Sequence, residues 1–255
     1  MGTYKDKSKL NIFLEYVPGG SLERIYKTYP MNENLIRVYT KQILEGIEYL
    51  HVNNVIHRDI KAANILVDSS GCCKLADFGS SKKIYGQLNQ NFNSLCGTPY
   101  WMPPEVVKQT GFNRQADIWS LGCTVYELIT GAPPWSDKKD IFSVLLEIAN
   151  ATEPPKLPMK DVSPELRNFL ECCFERDPHQ RANVYELLRH GFINVSAKIH
   201  KYHFMTLDNI IEEEATPVPT NSEYSRQRES IVAADGGSFG TPFEKQFNTE
   251  TGGEA

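Results

Sequence analysis

The stretch 57–68, with Asp77-Phe78-Gly79 after it, constrains this chain more than any other part. The first segment reads H-R-D-I-K-A-A-N-I-L-V-D, and its apolar run at 65–67 is typical of a short buried strand. A second short run, at 73–75, precedes D-F-G, and the turn residues 68–71 between the runs predict a hairpin. The sequence therefore predicts a rigid hairpin with polar, chemically active residue types on both sides of it.

The two motifs resemble the catalytic loop H-R-D-x-x-x-x-N and the metal-binding D-F-G of eukaryotic protein kinases. Either tripeptide alone would favour a surface turn, but both occur in order and at the spacing of that family. The resemblance implies that Asp59 accepts the proton of a substrate hydroxyl and that Lys61 points at the γ-phosphate of ATP. It also implies that Asn64 and Asp77 hold Mg²⁺. Such chemistry depends on position and charge, so these groups need to converge on one point.

A downstream segment narrows the resemblance. Residues 97–105, the substrate segment, read G-T-P-Y-W-M-P-P-E, and G-T-P-Y-W-M-x-P-E is characteristic of kinases in mitogen-activated protein kinase cascades. The resemblance implies that Thr98 forms hydrogen bonds toward Asp59 and Lys61 and helps to build the floor for a Ser or Thr substrate. Tyrosine as the acceptor is less favoured, because Lys61 and this segment both follow the Ser/Thr pattern.

The polar loop before this segment carries the predicted regulatory site. Residues 80–95 are rich in Asn, Gln and Ser. By resemblance Ser94 is a candidate activating phosphosite, because Arg58 would pair with the added charge and so order the loop. Thr98 is the weaker candidate, since its hydroxyl would already be occupied.

Three further residues have expected structural roles. The family's A-P-E reads Pro103-Pro104-Glu105, and the extra proline removes a backbone donor and fixes φ at position 103. Glu105 is expected to pair with Arg181 as a buried clamp, which costs about 3–5 kcal/mol to break from one side. Asp117 is expected to accept hydrogen bonds from the catalytic-loop backbone, which is compatible with a helix N-cap.

The N-terminal part resembles the approach to a kinase hinge. Residues 10–17 alternate in the manner of a buried strand, and Pro-Gly-Gly at 18–20 ends it. By resemblance this is the last strand of the small lobe, and a hinge can bind adenine through the backbone because it leaves one strand edge unpaired. The cofactor-binding residues implied are Leu14 as gatekeeper, Glu15, Val17, Ser21 near the ribose, Leu66 and Asp77.

Helices account for most of the remaining chain. Ser21 is expected to cap a short helix with residues 24–27 on its solvent side. Apolar residues at three-to-four spacing predict a longer helix over about 34–53, and 117–131 is apolar on nearly all faces and ends in glycine, which predicts a buried helix. Further helices are predicted at about 141–149, 164–175 and 184–190.

The bulk composition excludes some classes of partner. The net charge of −5 and the pI near 5.7 argue against nucleic acid or an anionic membrane as the main partner. No apolar run approaches the roughly 20 residues of a membrane span. None of the six cysteines has metal-ligand spacing, so we interpret them as reduced thiols of a cytoplasmic protein.

The motifs together most resemble a mitogen-activated protein kinase kinase kinase. Besides the substrate segment, Gly-Gly-Ser-Leu at 19–22 and Gly-Cys-Thr-Val at 122–125 support this group, and the resemblance covers roughly 10–192. It implies an α+β, protein-kinase-like fold, mainly the α-helical C-terminal lobe with the last small-lobe strand and the hinge. Its cofactors would be ATP and Mg²⁺, and its protein substrate a mitogen-activated protein kinase kinase.

We expect three parts along the chain. Residues 1–17 would be a remnant of the small lobe and 18–193 the C-terminal lobe. Residues 194–255 become acidic, then rich in Pro and Thr, then small and polar, which predicts a mostly disordered tail.

Two functions of different classes stay open at this point. Only thirteen residues precede Leu14, too few for the Gly-rich loop, strand lysine and helix glutamate of a whole kinase. The chain would then be a truncated serine/threonine kinase that transfers phosphate poorly or not at all as written. Alternatively, it is a catalytically dead fragment that binds partners through the large lobe. A helical scaffold without a kinase role would not explain the joint placement of Asp59, Lys61, Asn64 and Asp77.

Overall fold

A computed structural model describes residues 2–7, 9–83, 97–138, 140–156 and 162–194. All of them lie in one compact unit of the chain, Met1–Ile210. The predicted phosphosite Ser94 and the predicted tail from 195 onward lie outside the described residues.

The described residues form six short strands, paired two by two in antiparallel sheets. The first sheet pairs β1 with β2, the second β3 with β6, and the third β4 with β5. The strands are β1 (Gly2–Asp6), β2 (Lys9–Phe13), β3 (Val55–Ile56), β4 (Ile65–Val67), β5 (Cys73–Leu75) and β6 (Lys82–Lys83).

Seven α-helices make up most of the described fold, joined by 3₁₀ turns at 62–64, 78–80 and 99–101. The helices are α1 (Leu22–Thr28), α2 (Glu33–Val52), α3 (Pro104–Val107), α4 (Gln115–Thr130), α5 (Ile141–Asn150), α6 (Pro164–Cys173) and α7 (Val184–Leu188). The six helices predicted from the sequence all exist, with ends that differ by one or two residues.

The predicted buried strand at 10–17 is wrong in its extent and in its burial. The strand covers only Lys9–Phe13, and it pairs with a second strand, β1, so that Gly2 lies opposite Phe13. Both strands are exposed along their whole length. Alternating apolar residues predict that one face of a strand is buried, but no described residue packs on that face of this hairpin.

Helix α2 forms because its apolar residues recur on one face. Asn32 caps it by accepting a hydrogen bond from Leu35 N at 2.9 Å. The buried face includes Tyr39, Ile43 and Ile47, which pack into the main core, as predicted. The hairpin β4–β5 lies against this helix, where Leu75 meets Gly46.

Helix α1 begins as predicted but faces differently. Ser21 accepts from Arg24 N at 3.3 Å. Residues 24–27 were expected on the solvent side, but Tyr26 among them is buried against the core. Ile25 also packs against this core, so the apolar surface of these two side chains outweighs their charged neighbours' preference for water.

Helix α4 is the centre of the core. Most of its side chains are buried, including Trp119, which stacks on Trp135 with ring centroids 6.4 Å apart. Gly131 ends it in the left-handed region at φ 76°, which a glycine adopts without strain. The predicted buried helix and its stop are therefore confirmed.

Within the described part of the chain, no helix combines the length and the apolar character needed to cross a membrane. The cysteines of that part are free thiols, and Cys123 and Cys173 are buried.

Candidate active site

The catalytic loop is held in place by one buried carboxylate on α4. Asp117, which is 0% exposed, accepts hydrogen bonds from His57 N at 3.0 Å and from Arg58 N at 2.8 Å. Arg58 has φ 68°, an unfavourable value for a residue with a side chain. The two bonds compensate for this local strain, so α4 fixes the start of the loop.

His57 connects the two motifs. Its Nε2 lies 3.1 Å from Ala76 O, just before D-F-G, and its Nδ1 accepts from Asp59 N at 3.3 Å. One ring nitrogen therefore donates and the other accepts, which describes a neutral imidazole. Burial lowers the pKa of His57 in agreement with that state. The ring of Phe78 lies 5.0 Å from the imidazole.

Three predicted site residues converge on the Asp59 carboxylate. Thr98 donates from its hydroxyl to Asp59 Oδ1 at 2.8 Å, and Lys61 Nζ lies 2.9 Å from Oδ2. Lys61 also donates to Thr98 Oγ1 at 2.6 Å. Asn64 Nδ2 completes the set at 2.7 Å from Asp59 Oδ2. Both carboxylate oxygens are thus engaged by polar groups of the loop and the substrate segment.

These donors decide the charge of Asp59. Burial by itself raises the pKa of this carboxyl, but the hydrogen bonds from Lys61, Thr98 and Asn64 outweigh it and hold the pKa below the usual range. Asp59 is therefore ionised at neutral pH and can accept a proton.

The residues predicted to hold Mg²⁺ fit that ion. The Asn64 amide nitrogen donates to the backbone carbonyl of Asp59 at 2.9 Å and to its Oδ2 at 2.7 Å. The Asn64 Oδ1 therefore faces away from Asp59 and is available as a metal ligand. Asp77 uses Oδ1 to accept from Gly79 N at 3.2 Å, and the described residues give its Oδ2 no hydrogen bond. Mg²⁺ prefers a few oxygen ligands of this type and fills its other positions with phosphate and water.

The predicted hinge and the strand that follows the catalytic loop meet at two glycines, Gly19 and Gly20. Gly20 O accepts from Val67 N at 2.9 Å, and Ser21 forms a β-bridge with Leu66. A side chain at Gly19 would place its Cβ 2.3 Å from Val67 O, so only glycine fits. Ser21 and Leu66, both predicted to bind the nucleotide, are therefore neighbours.

The other predicted hinge residues are exposed or half-buried. Leu14 is 77% exposed, Glu15 is exposed and Val17 is half-buried, and none belongs to a strand. Glu15 forms an ion pair with Lys74 on β5. That bond raises the pKa of Lys74 and connects the hinge to the strand before D-F-G.

The clamp has the expected partners. Arg181 donates from Nη1 and Nη2 to the two oxygens of Glu105 at 2.7 and 2.9 Å, and both residues are buried. Its guanidinium also lies over the Trp119 ring, 5.1 Å from the centroid. Pro103 before the clamp has φ −77°, a value that proline adopts freely, and its carbonyl accepts from Val106 N and Val107 N.

The chain matches known kinases. Residues 1–193 match the family model of the protein kinase domain. The chain belongs to the protein kinase family. It is similar to "Mitogen-activated protein kinase kinase kinase A" of Dictyostelium discoideum, with 50% identity over 194 residues, 76% of this chain and 20% of that protein.

Two further relatives give the same result. "Serine/threonine-protein kinase STE11" of Saccharomyces cerevisiae is 47% identical over 197 residues, 76% of this chain and 27% of its own length. "Mitogen-activated protein kinase kinase kinase 3" of Homo sapiens is 45% identical over 196 residues, 75% of this chain and 31% of its own. The chain thus spans about a fifth to a third of the length of these relatives. The predicted resemblance to a mitogen-activated protein kinase kinase kinase and the kinase-like fold are confirmed.

Sequence reasoning missed three residues of this kinase site. His51 on α2 is buried and places Nε2 2.8 Å from Asp117 Oδ2. Its position at the end of a helix gave no signal, because its partner is distant in sequence. Tyr26 and Glu127 also meet in the interior, at 2.8 Å. A glutamate within the apolar second half of α4 was the available signal for Glu127.

Proposed function

We propose that this chain carries the phosphoryl-transfer site of a serine/threonine protein kinase. The observation that supports it most strongly is the 2.8 Å hydrogen bond from the Thr98 hydroxyl to Asp59 Oδ1. It places an aliphatic hydroxyl against an ionised carboxylate, which is the contact that a substrate serine or threonine needs. The acceptor hydroxyl gives its proton to Asp59, its oxygen bonds to the γ-phosphorus of ATP, and ADP leaves.

The remaining polar groups act on charge and position. Lys61 donates toward the same point and would neutralise the transferred phosphoryl group, while Asn64 and Asp77 would hold Mg²⁺. The ion supplies charge neutralisation on the ATP phosphates when bound. Ser21, Leu66 and the hinge residues Leu14, Glu15 and Val17 would contact the nucleoside part of ATP.

The names of the relatives support a proposal for the substrate class. Proteins named as mitogen-activated protein kinase kinase kinases are similar to this chain at 45–50% identity, so we propose a mitogen-activated protein kinase kinase as its protein substrate. The free thiols agree with a reducing, cytoplasmic location. Ser94 remains our proposed activating phosphosite, with Arg58 as its partner.

Nucleotide binding is the first test. The purified chain is heated with and without Mg²⁺-ATP, and we expect the nucleotide to raise Tm in the unaltered chain. Asp77→Ala should abolish the rise that depends on Mg²⁺, whereas Asp137→Ala, an exposed aspartate outside the site, should keep it. A folded chain whose Tm does not respond would contradict the proposal and favour a protein that only binds partners.

Transfer is the second test. Radiolabelled ATP and a purified mitogen-activated protein kinase kinase should give label on Ser or Thr, at the low rate expected from the sequence. Asp59→Asn should lower that rate at least about 100-fold, the usual contribution of a positioned base. Label that survives in Asp59→Asn at the unaltered rate would exclude this site.

A further inference from the structure

Ser163 joins two helices outside the candidate active site. It is the N-cap of α6, where its hydroxyl oxygen accepts from Leu166 N at 3.1 Å. The same hydroxyl donates to Glu33 Oε1 of α2 at 2.7 Å, and Ser163 N donates to Glu33 Oε2 at 3.0 Å. One carboxylate of α2 thus binds both the hydroxyl and the backbone of the residue that begins α6.

Arg37, one turn further along α2, shares that carboxylate. Its Nη2 lies 3.1 Å from Glu33 Oε1, the oxygen that also accepts from the Ser163 hydroxyl. Its Nε donates to Phe192 O at 2.8 Å, and its guanidinium lies over the Phe192 ring, 5.0 Å from the centroid. A cation therefore lies two short contacts away from the Ser163 hydroxyl, and it also binds the chain close to the end of the described residues.

The sequence at this junction is that of a proline-directed phosphorylation site. Pro164 follows Ser163, and proline-directed kinases transfer phosphate to a Ser or Thr that precedes proline. Ser163 has φ −62° and ψ 154°, the extended conformation that a residue before proline favours. It is half-buried, while Pro164 and Glu165 are exposed. An enzyme can therefore reach the Ser-Pro peptide from solvent once the hydroxyl has left Glu33.

The surroundings of this hydroxyl suit a phosphate. The N-terminus of α6, a helix of ten residues, favours negative charge, and a guanidinium forms charge-assisted hydrogen bonds with phosphate. A phosphate with a charge of about −1.5 to −2 would repel the Glu33 carboxylate. Glu33 lies in the first turn of α2 and is partly exposed, so it can turn to water, whereas Phe192 holds Arg37 in place.

We propose that Ser163 is a phosphorylation site for a proline-directed serine/threonine kinase and that Arg37 receives the phosphate. Ser163 Oγ bonds to the γ-phosphorus of an ATP held by that kinase, the hydroxyl proton goes to that kinase's base, and ADP leaves. The Glu33 contacts are lost, and Arg37 then connects the phosphate to Phe192 O. Another enzyme supplies the phosphate, so the proposal stands or falls independently of the activity of this chain.

Labelling tests the acceptor. The full chain is incubated with ATP and a purified mitogen-activated protein kinase, used as a probe that phosphorylates Ser or Thr before proline, and mass spectrometry identifies the modified residues. We expect phosphate on Ser163 and none without the added enzyme. Thr216 and Thr241 also precede proline and serve as internal comparisons. No phosphate on Ser163 from an enzyme that labels Thr216, Thr241 or a standard peptide would overturn the proposal.

Two substitutions separate the recognition of proline from the presence of the hydroxyl. Pro164→Ala keeps the hydroxyl and should lower the labelling rate of Ser163 at least about tenfold, the size of effect that one lost contact in a recognition pocket gives. Pro154→Ala is the matched control, because this exposed proline follows a glutamate. Ser163→Asn keeps a good N-cap, so the chain should fold without phosphate at 163. An unaltered labelling rate in Pro164→Ala would contradict proline direction.

Titration of the phosphate by ³¹P NMR tests the receiver. An arginine that binds the dianion lowers the second pKa of the phosphate, which is ordinarily about 6. Arg37→Gln should therefore raise that pKa, whereas Arg24→Gln, an exposed arginine on α1, should leave it in place. Arg167 lies one turn along α6 from Ser163, so Arg167→Gln tests the alternative receiver. A pKa that ignores Arg37→Gln, or that rises more in Arg167→Gln, would overturn the role of Arg37.

Discussion

The hairpin β1–β2 and the catalytic loop show opposite relations between side chains and solvent. In the hairpin, apolar residues such as Ile12 are exposed, and Leu14 beyond it is 77% exposed. In the loop, polar groups such as Asp117 and Asn64 are buried and hydrogen-bonded to named partners. Buried polar groups with hydrogen-bond partners fix the positions of the loop residues. The apolar face of the hairpin, on which no described residue packs, fixes no such positions and only favours contact with other apolar surface.

The largest effect should come from the clamp behind the loop. Arg181→Met leaves the buried Glu105 carboxylate without its cation and should lower the free energy of unfolding by about 3–5 kcal/mol. Urea unfolding measures this, with the exposed Arg189→Met as control, expected within about 0.5 kcal/mol. A loss of the same small size for Arg181→Met would mean that the loop side is no better supported than the hairpin.

Gly19 tests the junction of the two regions. Gly19→Ala would force its Cβ against Val67 O and should cost about 1–3 kcal/mol of unfolding free energy. Gly191→Ala has open space at its Cβ and serves as the matched control. Thermal unfolding of both variants gives the comparison, and equal stabilities would show that the hinge does not rest on β4.

The next effect appears in pH dependence. The Thr98 bond is one of those that hold the pKa of Asp59 down, so Thr98→Val should raise that pKa toward its usual range. Base function is present above the pKa and lost as pH falls through it, so the acid limb of the rate profile should move to higher pH. Carboxyl ¹³C titration of Asp59 checks the same shift, and Thr130→Val should leave it in place. A shift to lower pH would contradict the assigned hydrogen bond.

The smallest effect should be in the hairpin. Ile12→Ala removes an exposed side chain and should change stability by less than about 0.5 kcal/mol, whereas Ile47→Ala in the α2 core should cost about 2–5 kcal/mol. Chemical denaturation of the pair measures both. A large loss in Ile12→Ala would show that the hairpin face is covered in solution.

The sequence predicted the helices because local periodicity and capping set them. Asn32 and Gly131 lie where those rules place them, and α4 is buried as its composition indicated. The proposed catalytic residues were predicted from motif spacing, and the contacts of Thr98 and Asp117 have the partners that the resemblance implied.

What the sequence did not reveal depends on long-range contact. The exposure of Ile12 follows from what packs on its face, which a pattern of alternation does not contain. Tyr26 and His51 acquired polar partners on α4, at Glu127 and Asp117, that are distant along the chain. Neither pairing leaves a local signature, so only the fold reveals it.

The arrangement around Asp59 also bears on water. Thr98 donates a hydrogen bond to one oxygen of this carboxylate, and Lys61 and Asn64 bind the other. For water to reach this carboxylate, it would have to displace one of these three donors. A water molecule has no other contacts with the protein whose binding energy could offset that loss. A serine or threonine hydroxyl of a docked protein would also have to displace a donor. The binding energy of the docked protein would offset that cost and would orient the hydroxyl. If the proposed function holds, a carboxylate that is occupied at rest would disfavour hydrolysis of ATP by water before any protein substrate is bound.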